Sequence, residues 1–338
     1  MRLKFAAIGL DHRHIYDQVQ SLVDAGAQCV GYWTDGTPKT LDGFVKRFPE
    51  LPRVDDRRRL LDDPSIRLIT CAAIPCDRAM HAVEAMRAGK DFMVDKPGVT
   101  TFDQLDEVRG VQQHAGRIWT VNFTERFEVR AVTRALELVR AGAIGDVVQT
   151  VGLGPHRLNR GLRDPWFFDR GKYGGILVDI ASHQIDQFLA FTGASDAEIV
   201  LARTSNIAHA GDPDFEDFGE IVMTTGDANA YIRVDWFTPD GLPTWGDGRL
   251  FITGTRGSIE LRKYVDIAGR AGKDHLFLVD AKDARYVDCG DAGLPYYDNL
   301  LRDIEARTET SMSQAHCYRV CELALRAQTI AAKAGRTR

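Results

Sequence analysis

The chain has 338 residues, of which 44% are hydrophobic and 27% charged, and this length and balance favour a globular protein with two domains. Its 43 Lys and Arg residues against 48 Asp and Glu residues give a net charge of -5 without a dense basic block, which argues against nucleic-acid or anionic-membrane partners and favours small molecules. No stretch approaches the roughly 20 apolar residues of a membrane span. The N-terminal apolar run is interrupted too early for a signal peptide, so we expect a cytoplasmic protein.

The first part of the chain alternates short apolar runs with segments of helical periodicity. Strands are predicted at 4–9, 28–33, 68–73, 92–94 and 118–122, and helices at 15–25, 41–48, 79–88 and 102–115. This alternation is typical of βαβ units, which build a parallel sheet covered by helices on both faces. We therefore predict a doubly wound nucleotide-binding domain over residues 1–122.

Residues 123–338 follow a different pattern and are predicted to form a second domain. Helices are predicted at 131–141 and 314–334, and strands at 147–152, 198–205, 217–224, 228–237, 249–253, 258–262 and 275–279. Consecutive strands without intervening helices favour an antiparallel or mixed sheet. Six cysteines lack zinc or redox spacing, although Cys317 and Cys321 share a helical face, which leaves a metal pair open beside simple core packing.

The loop after the first strand reads Gly9-Leu10-Asp11-His12-Arg13-His14, where a dinucleotide-binding fold has Gly-x-Gly-x-x-Gly. Only the first glycine is present. Asp11 would bring a negative charge towards the cofactor phosphates. His12, Arg13 and His14 would add donors at a helix N-terminus that favours anions. The alternatives are a plain strand-to-helix turn capped by Asp11, and a metal site of His12 and His14 whose third ligand the sequence does not identify.

The end of the second strand is where such folds place the residue that reads the ribose. Asp35 would bind the 2′-hydroxyl of NAD, whereas Thr34, with Lys39 nearby, would admit the 2′-phosphate of NADP. Asp35-Gly36-Thr37-Pro38 is also a good turn sequence, so a purely structural role stays open. The further residues assigned to the predicted cofactor site are Ala73, Pro75, Asp95, Lys96 and Asn122.

Two short motifs carry side chains suited to proton transfer. Asp95-Lys96-Pro97 ends a strand-like run, and Gly174-Gly175 open a segment that reads as one helix, with Asp179 and His183 on the same face. An alcohol that gives up a hydride must also lose its proton, and an imidazole suits that transfer. The plainer interpretations are a solvated lysine at a strand end, and an ordinary helix pair or a pair of metal ligands.

These motifs resemble, in type and order, the Gfo/Idh/MocA family, named after glucose-fructose oxidoreductase, inositol dehydrogenase and a rhizopine-catabolism protein. The matching features are Gly9, Asp95-Lys96-Pro97 where the family usually has Glu-Lys-Pro, the segments 122–127 and 141–145, and the Asp179/His183 segment. The resemblance implies a Rossmann domain, a C-terminal α+β domain with an open, mostly antiparallel sheet, and NAD- or NADP-dependent chemistry on sugars or polyols. Asp11 and His14 replace the family's usual second and third glycines, a departure that concerns cofactor affinity.

The resemblance also implies roles for three residues. Lys96 matches the family lysine that approaches the cofactor and a substrate hydroxyl, and Asp179 and His183 match the pair at the reacting carbon. We expect His183 to act as the acid/base, Asp179 to orient it or hold an adjacent hydroxyl, and Lys96 to stabilise alkoxide charge. Pro97 is expected to fix the turn that aims Lys96, through a bond that is often cis in the family.

Substrate-facing residues are expected between the domains, on the loop before the Asp179 segment and on the facing sheet. An aromatic face with charged donors suits a sugar ring, and an arginine there would suit a carboxylate. The candidates are His156, Arg157, Trp166, Tyr173, Asp235, Trp236 and Trp245. Trp166 could instead serve local packing, and Trp236 could lie in a subunit interface. Because apolar sheet faces commonly join subunits, we expect a homodimer or homotetramer through the C-terminal sheet.

The sequence therefore predicts an oxidoreductase that transfers a hydride between NAD or NADP and a sugar, a polyol or a related hydroxy compound. Two other functions would use the same residues. One is a lyase or hydrolase that uses nicotinamide without net redox change. The other is a non-catalytic protein that senses a ligand on the same fold.

Overall fold

The structure is a computed structural model that describes residues 2–335. It contains two β-sheets. The chain divides into two units. The first unit contains the residues up to Asn122, together with Arg160–Gly174 and Pro295–Cys321. The second contains Phe123–Asn159, Gly175–Leu294 and the residues from Glu322 onward. Each unit has its own sheet.

The sheet of the first unit is parallel, with the strand order β2-β1-β3-β4-β5. Its strands are β1 (Lys4–Ile8), β2 (Gln28–Trp33), β3 (Ile66–Cys71), β4 (Asp91–Asp95) and β5 (Trp119–Asn122). Every residue of β4 and β5 is buried, as expected for strands covered on both faces. The predicted parallel sheet is confirmed.

Five helices lie between these strands in the chain. They are α1 (Ile15–Asp24), α2 (Leu41–Arg47), α3 (Arg58–Leu61), α4 (Arg78–Arg87) and α5 (Phe102–Ala115). For α5, the Thr101 side chain accepts a hydrogen bond from the Gln104 N–H at the N-terminus, and Gly116 ends the helix with φ +61°. The prediction of a helix over 102–115 is confirmed residue for residue.

The second unit contains an eight-stranded sheet with the order β13-β12-β11-β10-β6-β9-β8-β7. Its strands are β6 (Val147–Pro155), β7 (Glu198–Ser205), β8 (Phe218–Thr224), β9 (Asn229–Asp235), β10 (Arg249–Gly254), β11 (Gly257–Arg262), β12 (His275–Val279) and β13 (Ala284–Val287). Neighbours are antiparallel except β6 and β9. Alternate residues of β8 are buried, which is typical of a sheet with one covered face.

The remaining helices follow β5. They are α6 (Thr124–Phe127), α7 (Arg130–Arg140), α8 (Arg170–Tyr173), α9 (Ile176–Asp179), α10 (Ser182–Thr192), α11 (Tyr296–Ala306) and α12 (Gln314–Gly335). In the second unit, the apolar face of α7 packs with β10, β11 and β12 into one hydrophobic cluster. None of the helices within residues 2–335 is long and apolar enough to span a bilayer.

The prediction of a single helix carrying Asp179 and His183 is wrong. α9 ends at Asp179 and α10 begins at Ser182. Between them the Ala181 N–H bonds the Ile176 carbonyl five residues back, and the His183 N–H bonds the Ile180 carbonyl only three back. These bonds replace the regular i to i−4 pattern, so helical periodicity alone does not relate the two side chains.

Candidate active site

The loop after β1 begins at a glycine that no other residue could replace without strain. Gly9 has φ +74°, and a Cβ built there would lie 2.4 Å from the Ala73 Cβ. Its N–H donates to the Trp33 carbonyl at 2.9 Å, and its carbonyl accepts from the Ala72 N–H at 3.1 Å. Gly9 therefore lets the loops that follow β1, β2 and β3 approach closely at one edge of the sheet.

Asp11 lies in this loop, partly buried. Burial raises the pKa of its carboxyl to about 6, against the opposing charge of Arg78. Asp11 is therefore closer to neutrality at physiological pH than an ordinary aspartate. Arg13 is exposed beside it. The loop thus presents a positive side chain together with an acid that readily takes up a proton.

His12 and His14 both turn towards Asp95 at the end of β4. The Nδ1 atom of His14 lies 2.9 Å from Oδ1 of Asp95, and that of His12 lies 3.0 Å from Oδ2. Burial, with the neighbouring His14, lowers the pKa of His12 to about 3, so its ring is neutral. Asp95 is fully buried, which acts to raise its pKa, but the charges of His14 and Arg78 hold that pKa well below its usual value.

Arg78, the first residue of α4, completes this group, and sequence reasoning missed it. Its Nη2 donates to Oδ2 of Asp95 at 3.1 Å, and the side chain is 1% exposed. We name Arg78, Asp95, His12 and His14 the loop cluster. Asp95 is followed by Lys96, which is buried, and the Lys96–Pro97 bond is cis. A buried arginine at a helix start has no sequence signature that separates it from an exposed one.

The loop cluster also supplies the third ligand that the metal alternative needed. Ligand atoms of His12, His14 and Asp95 lie within 4.8 Å of one another. However, the Asp95 carboxylate is already paired with Arg78, and Lys96 adds a second positive charge near His12. These charges oppose a cation and favour an anion such as a phosphate.

The predicted ribose-reading residues lie after β2. Thr34 is buried, and its Oγ1 accepts from the Leu10 N–H at 3.2 Å, so it braces the loop. Asp35 is exposed. The Nζ of Lys39 donates to the Arg163 carbonyl at 2.7 Å, which fixes this lysine to the 160–174 segment. Of the two ribose-reading candidates, Asp35 is therefore the accessible one and Thr34 is not.

The other predicted cofactor residues also lie in the first unit. Ala73 and Pro75 are buried after β3, where Pro75 opens a short 3-10 turn. Asn122 is buried at the end of β5, and its Nδ2 donates to the Tyr297 hydroxyl at 2.8 Å. The Asn122 Oδ1 has no hydrogen-bond partner among the described residues. Tyr297, on α11, was not foreseen.

Asp179 and His183 belong to the second unit and are both buried. The turn before α9 depends on Gly175, which has φ +101° and whose Cβ would meet the Gln328 amide at 2.3 Å. The His183 ring lies edge-on to Phe123 with centroids 6.2 Å apart. The backbone carbonyl of His183 accepts a hydrogen bond from the Gln187 Nε2 at 2.9 Å. Packing and this hydrogen bond thus hold the first turn of α10.

A buried ion pair lies beside α10, and sequence reasoning missed it as well. Lys263 donates to Oε2 of Glu125 at 2.5 Å, and both side chains are almost fully buried. Gln184 donates to the same oxygen at 3.0 Å. Burial acts to raise the pKa of Glu125, but Lys263, followed by His183 and His156, lowers it to about 2.

The predicted substrate residues fall into two groups. In the second unit, the His156 ring lies 5.3 Å from Trp236 and 4.5 Å from Trp245, and Asp235 is buried at the end of β9. The Arg157 guanidinium donates to the Pro239 and Leu242 carbonyls rather than standing open for a carboxylate. In the first unit, Trp166 and Tyr173 are buried and pack around Phe167.

Comparisons with known proteins agree with this architecture. The family model described as the GFO/IDH/MocA C-terminal domain matches residues 132–260. The crystal structure of a protein assigned as an oxidoreductase, from Erwinia carotovora atroseptica SCRI1043, superposes with a TM-score of 0.94 and 45% identity, covering 98% of this chain and 99% of that one. An alignment of this completeness relates both units, not only one.

Two curated relatives carry more specific names. The NADP(+)-dependent scyllo-inositol 2-dehydrogenase IolW of Bacillus subtilis is 26% identical over 48% of this chain and 46% of its own length. Levoglucosan dehydrogenase of Pseudarthrobacter phenanthrenivorans is 26% identical over 48% of this chain and 42% of its own length. The chain spans between 42% and 57% of the length of the curated relatives it matches. Because the family model matches residues 132–260 and the Erwinia oxidoreductase aligns over nearly its whole length, the chain belongs to the Gfo/Idh/MocA family.

Proposed function

We propose that this protein is an NAD- or NADP-dependent oxidoreductase that transfers a hydride between nicotinamide and a sugar, a polyol or a related hydroxy compound. Family membership supports the proposal, as do the names of the two relatives, which act on an inositol and on levoglucosan. We further propose Lys96, Asp179 and His183 as the catalytic residues.

The observation that carries the proposal is the electrostatic character of the loop after β1. Gly9 allows a close backbone approach, α1 begins directly behind the loop, and Arg13 is exposed there. A helix N-terminus and a cationic side chain favour phosphate oxygens. Asp11, with its raised pKa, can take up a proton as phosphates approach. The residues present therefore fit a dinucleotide although the second and third glycines are missing.

Side chains of this protein would transfer the substrate proton and stabilise the charge that develops as it leaves. A bound nicotinamide dinucleotide would supply the hydride acceptor or donor. In the oxidation direction, Nε2 or Nδ1 of His183 would accept the proton of the substrate hydroxyl, with Asp179 holding an adjacent hydroxyl or the imidazole. Lys96 would stabilise the developing alkoxide through its ammonium group.

Fluorescence titration with NAD and NADP tests the cofactor assignment first. We expect saturable binding of at least one dinucleotide below millimolar concentration, and failure with both would reject the oxidoreductase in favour of a ligand sensor. Turnover is then measured on a panel of sugars and polyols. Product formation without accumulation of reduced cofactor would favour the lyase or hydrolase instead.

Two variants test the catalytic assignments. Lys96→Ala and His183→Ala should each lower turnover by about 100-fold or more, because each removes a group that acts on the reacting proton or its charge. His183→Ala should leave dinucleotide binding within about two-fold of wild type. Near-normal turnover in either variant would reject that residue's role.

A further inference from the structure

The loop cluster joins three segments of the first unit through one guanidinium. The Nε of Arg78 donates to the Ala73 carbonyl at 2.7 Å. Its Nη1 donates to the carbonyls of Asp95 and Pro97, both at 2.9 Å. Its Nη2 donates to Oδ2 of Asp95 at 3.1 Å. A single buried side chain therefore bonds the second residue after β3 and both residues that flank Lys96.

The local sequence explains why the side chain reaches these partners. Pro75 opens the 3-10 turn that leads directly into α4, so the helix begins at Arg78. Side chains in a helix point back towards its N-terminus, which directs Arg78 to the Ala73 carbonyl five residues earlier. The planar fork of a guanidinium can serve four such acceptors at once, whereas the ammonium of a lysine cannot reproduce that geometry.

The same contact extends to the predicted phosphate loop. The Asp95 carboxylate holds His14 through Oδ1 and His12 through Oδ2, and Arg78 balances its charge. If Arg78 were absent, Asp95 would be a buried carboxylate beside two imidazoles without its cationic partner. Breaking a buried ion pair from one side in this way is strongly unfavourable, so the groups around Asp95 would have to rearrange.

We propose that Arg78 is a positioning residue of the active site: it sets the backbone around Lys96 and, through Asp95, the orientation of the two loop histidines. This inference rests on the proposed dinucleotide-dependent function. It adds a residue that touches neither substrate nor cofactor in the proposed reaction but acts through three that do.

Two variants separate the geometry of Arg78 from its charge. Arg78→Lys keeps the charge and loses the fork, so dinucleotide affinity should fall at least ten-fold with a pH dependence like that of wild type. Arg78→Ala also removes the positive charge that opposes the raised pKa of Asp11, so its affinity should fall as well and the pH dependence of binding should shift to higher pH than in wild type. The charged groups that act on Asp11 are Arg78 on α4, Asp77 in the 3-10 turn before it, and Asp164.

Arg307 provides the matched control within the same unit. Its guanidinium forms a bidentate pair with the buried Asp91 at the start of β4, with both N···O distances 2.7 Å. Arg307→Ala therefore removes a comparable arginine pair at the opposite end of the same strand. We expect a lower melting temperature, but dinucleotide affinity within two-fold of wild type and an unchanged pH profile.

The outcomes distinguish this inference from the proposed function. If the wild-type protein binds neither NAD nor NADP, the proposed function fails. If wild type binds and both Arg78 variants bind equally well, or if Arg307→Ala weakens binding as much as they do, only the role of Arg78 fails. Should the Arg78 variants not fold, Asp95→Asn removes the carboxylate charge that both histidines contact. An unchanged affinity and pH profile in that variant would also overturn the proposal.

Discussion

At the scale of single residues, Asp11 and Gly9 show which part of the glycine motif remains in the loop that we propose as the phosphate-binding loop. Asp11 occupies a glycine position of the usual motif, but burial raises its pKa to about 6, which lowers the charge it presents. Gly9 keeps the one role that needs a glycine, because its positive φ and its approach to Ala73 exclude a side chain. The loop therefore keeps the glycine that its backbone conformation requires, while acidic and basic side chains stand where the motif usually has the other glycines.

The raised pKa of Asp11 predicts a pH-dependent stability. Its folded-state pKa exceeds the unfolded value of 3.8, so the folded state loses stability as pH rises from about 4 to 6 and the loss is complete above that. Asp11→Asn should therefore raise the free energy of unfolding by about 1–2 kcal/mol at pH 8 and leave it nearly unchanged at pH 4. Urea denaturation at both pH values measures this. Asp55→Asn, at an exposed acid, is the control, and an equal response of the two variants would contradict the prediction.

A comparison of two glycines with positive φ distinguishes the cost of an unfavourable backbone conformation from the cost of a steric clash. Gly26 has φ +96° and open space around its Cβ position, whereas Gly9 has φ +74° and the Ala73 contact. Gly26→Ala should cost about 1 kcal/mol from its backbone conformation alone. Gly9→Ala should cost about 2–4 kcal/mol, because the β1 and β3 ends must also move apart. Chemical denaturation compares them, and equal losses would show that the Ala73 contact does not matter.

At the scale of elements, the buried Glu125–Lys263 pair ties α6 to the residue that follows β11. Glu125 also accepts from Gln184, so the pair touches the helix that carries His183. The pKa of Glu125 is lowered to about 2 from 4.5, so the pair stabilises the fold above pH 4.5 and loses this contribution as pH falls towards 2. The ion pair therefore supports α10 throughout the physiological range.

Removing only one charge of this pair should lower the free energy of unfolding more than removing both charges does. Lys263→Met leaves the Glu125 carboxylate buried without its cation and should destabilise the protein by about 3–5 kcal/mol. Adding Glu125→Gln should recover most of that loss, since the amide keeps hydrogen-bonding capacity without a charge. A double-mutant cycle followed by urea denaturation measures the coupling. If the double variant were as unstable as the sum of the single ones, the pair would not be the cause.

At the scale of the whole molecule, the two units have different sheet architectures and different proposed tasks. The first has a parallel sheet whose strand ends carry the loop cluster, and the second has a mostly antiparallel sheet with α9 and α10. The parallel arrangement brings the ends of β1, β3 and β4 to one edge, which is where ligands bind in such sheets. We propose that cofactor recognition belongs mainly to the first unit.

Hydrogen exchange can test this division. Addition of NAD or NADP, whichever binds, should slow exchange of amides in residues 9–14 and 72–77 of the first unit, because a ligand that binds only the folded state suppresses local opening. Residues 198–205 in β7 of the second unit serve as the internal control and should exchange as before. Protection confined to the second unit would contradict the assignment.

By itself, the sequence determined the order and type of nearly all elements, because hydrophobic periodicity and turn residues are local signals. The helix over 102–115 and the strands over 28–33, 198–205 and 275–279 agree with the structure at both ends. The prediction failed where local signals were weak, at the short edge strand β13, at α11 and at the break between α9 and α10.

Only the tertiary structure decided which side chains meet. His14 and Asp95 are 81 residues apart in the chain, and Glu125 and Lys263 are 138 apart. Such pairs depend on strand order and on how loops fold back at the sheet edge, which no local pattern encodes. For the same reason the identity of Arg78 was visible in the sequence, but its burial and its four acceptors were not.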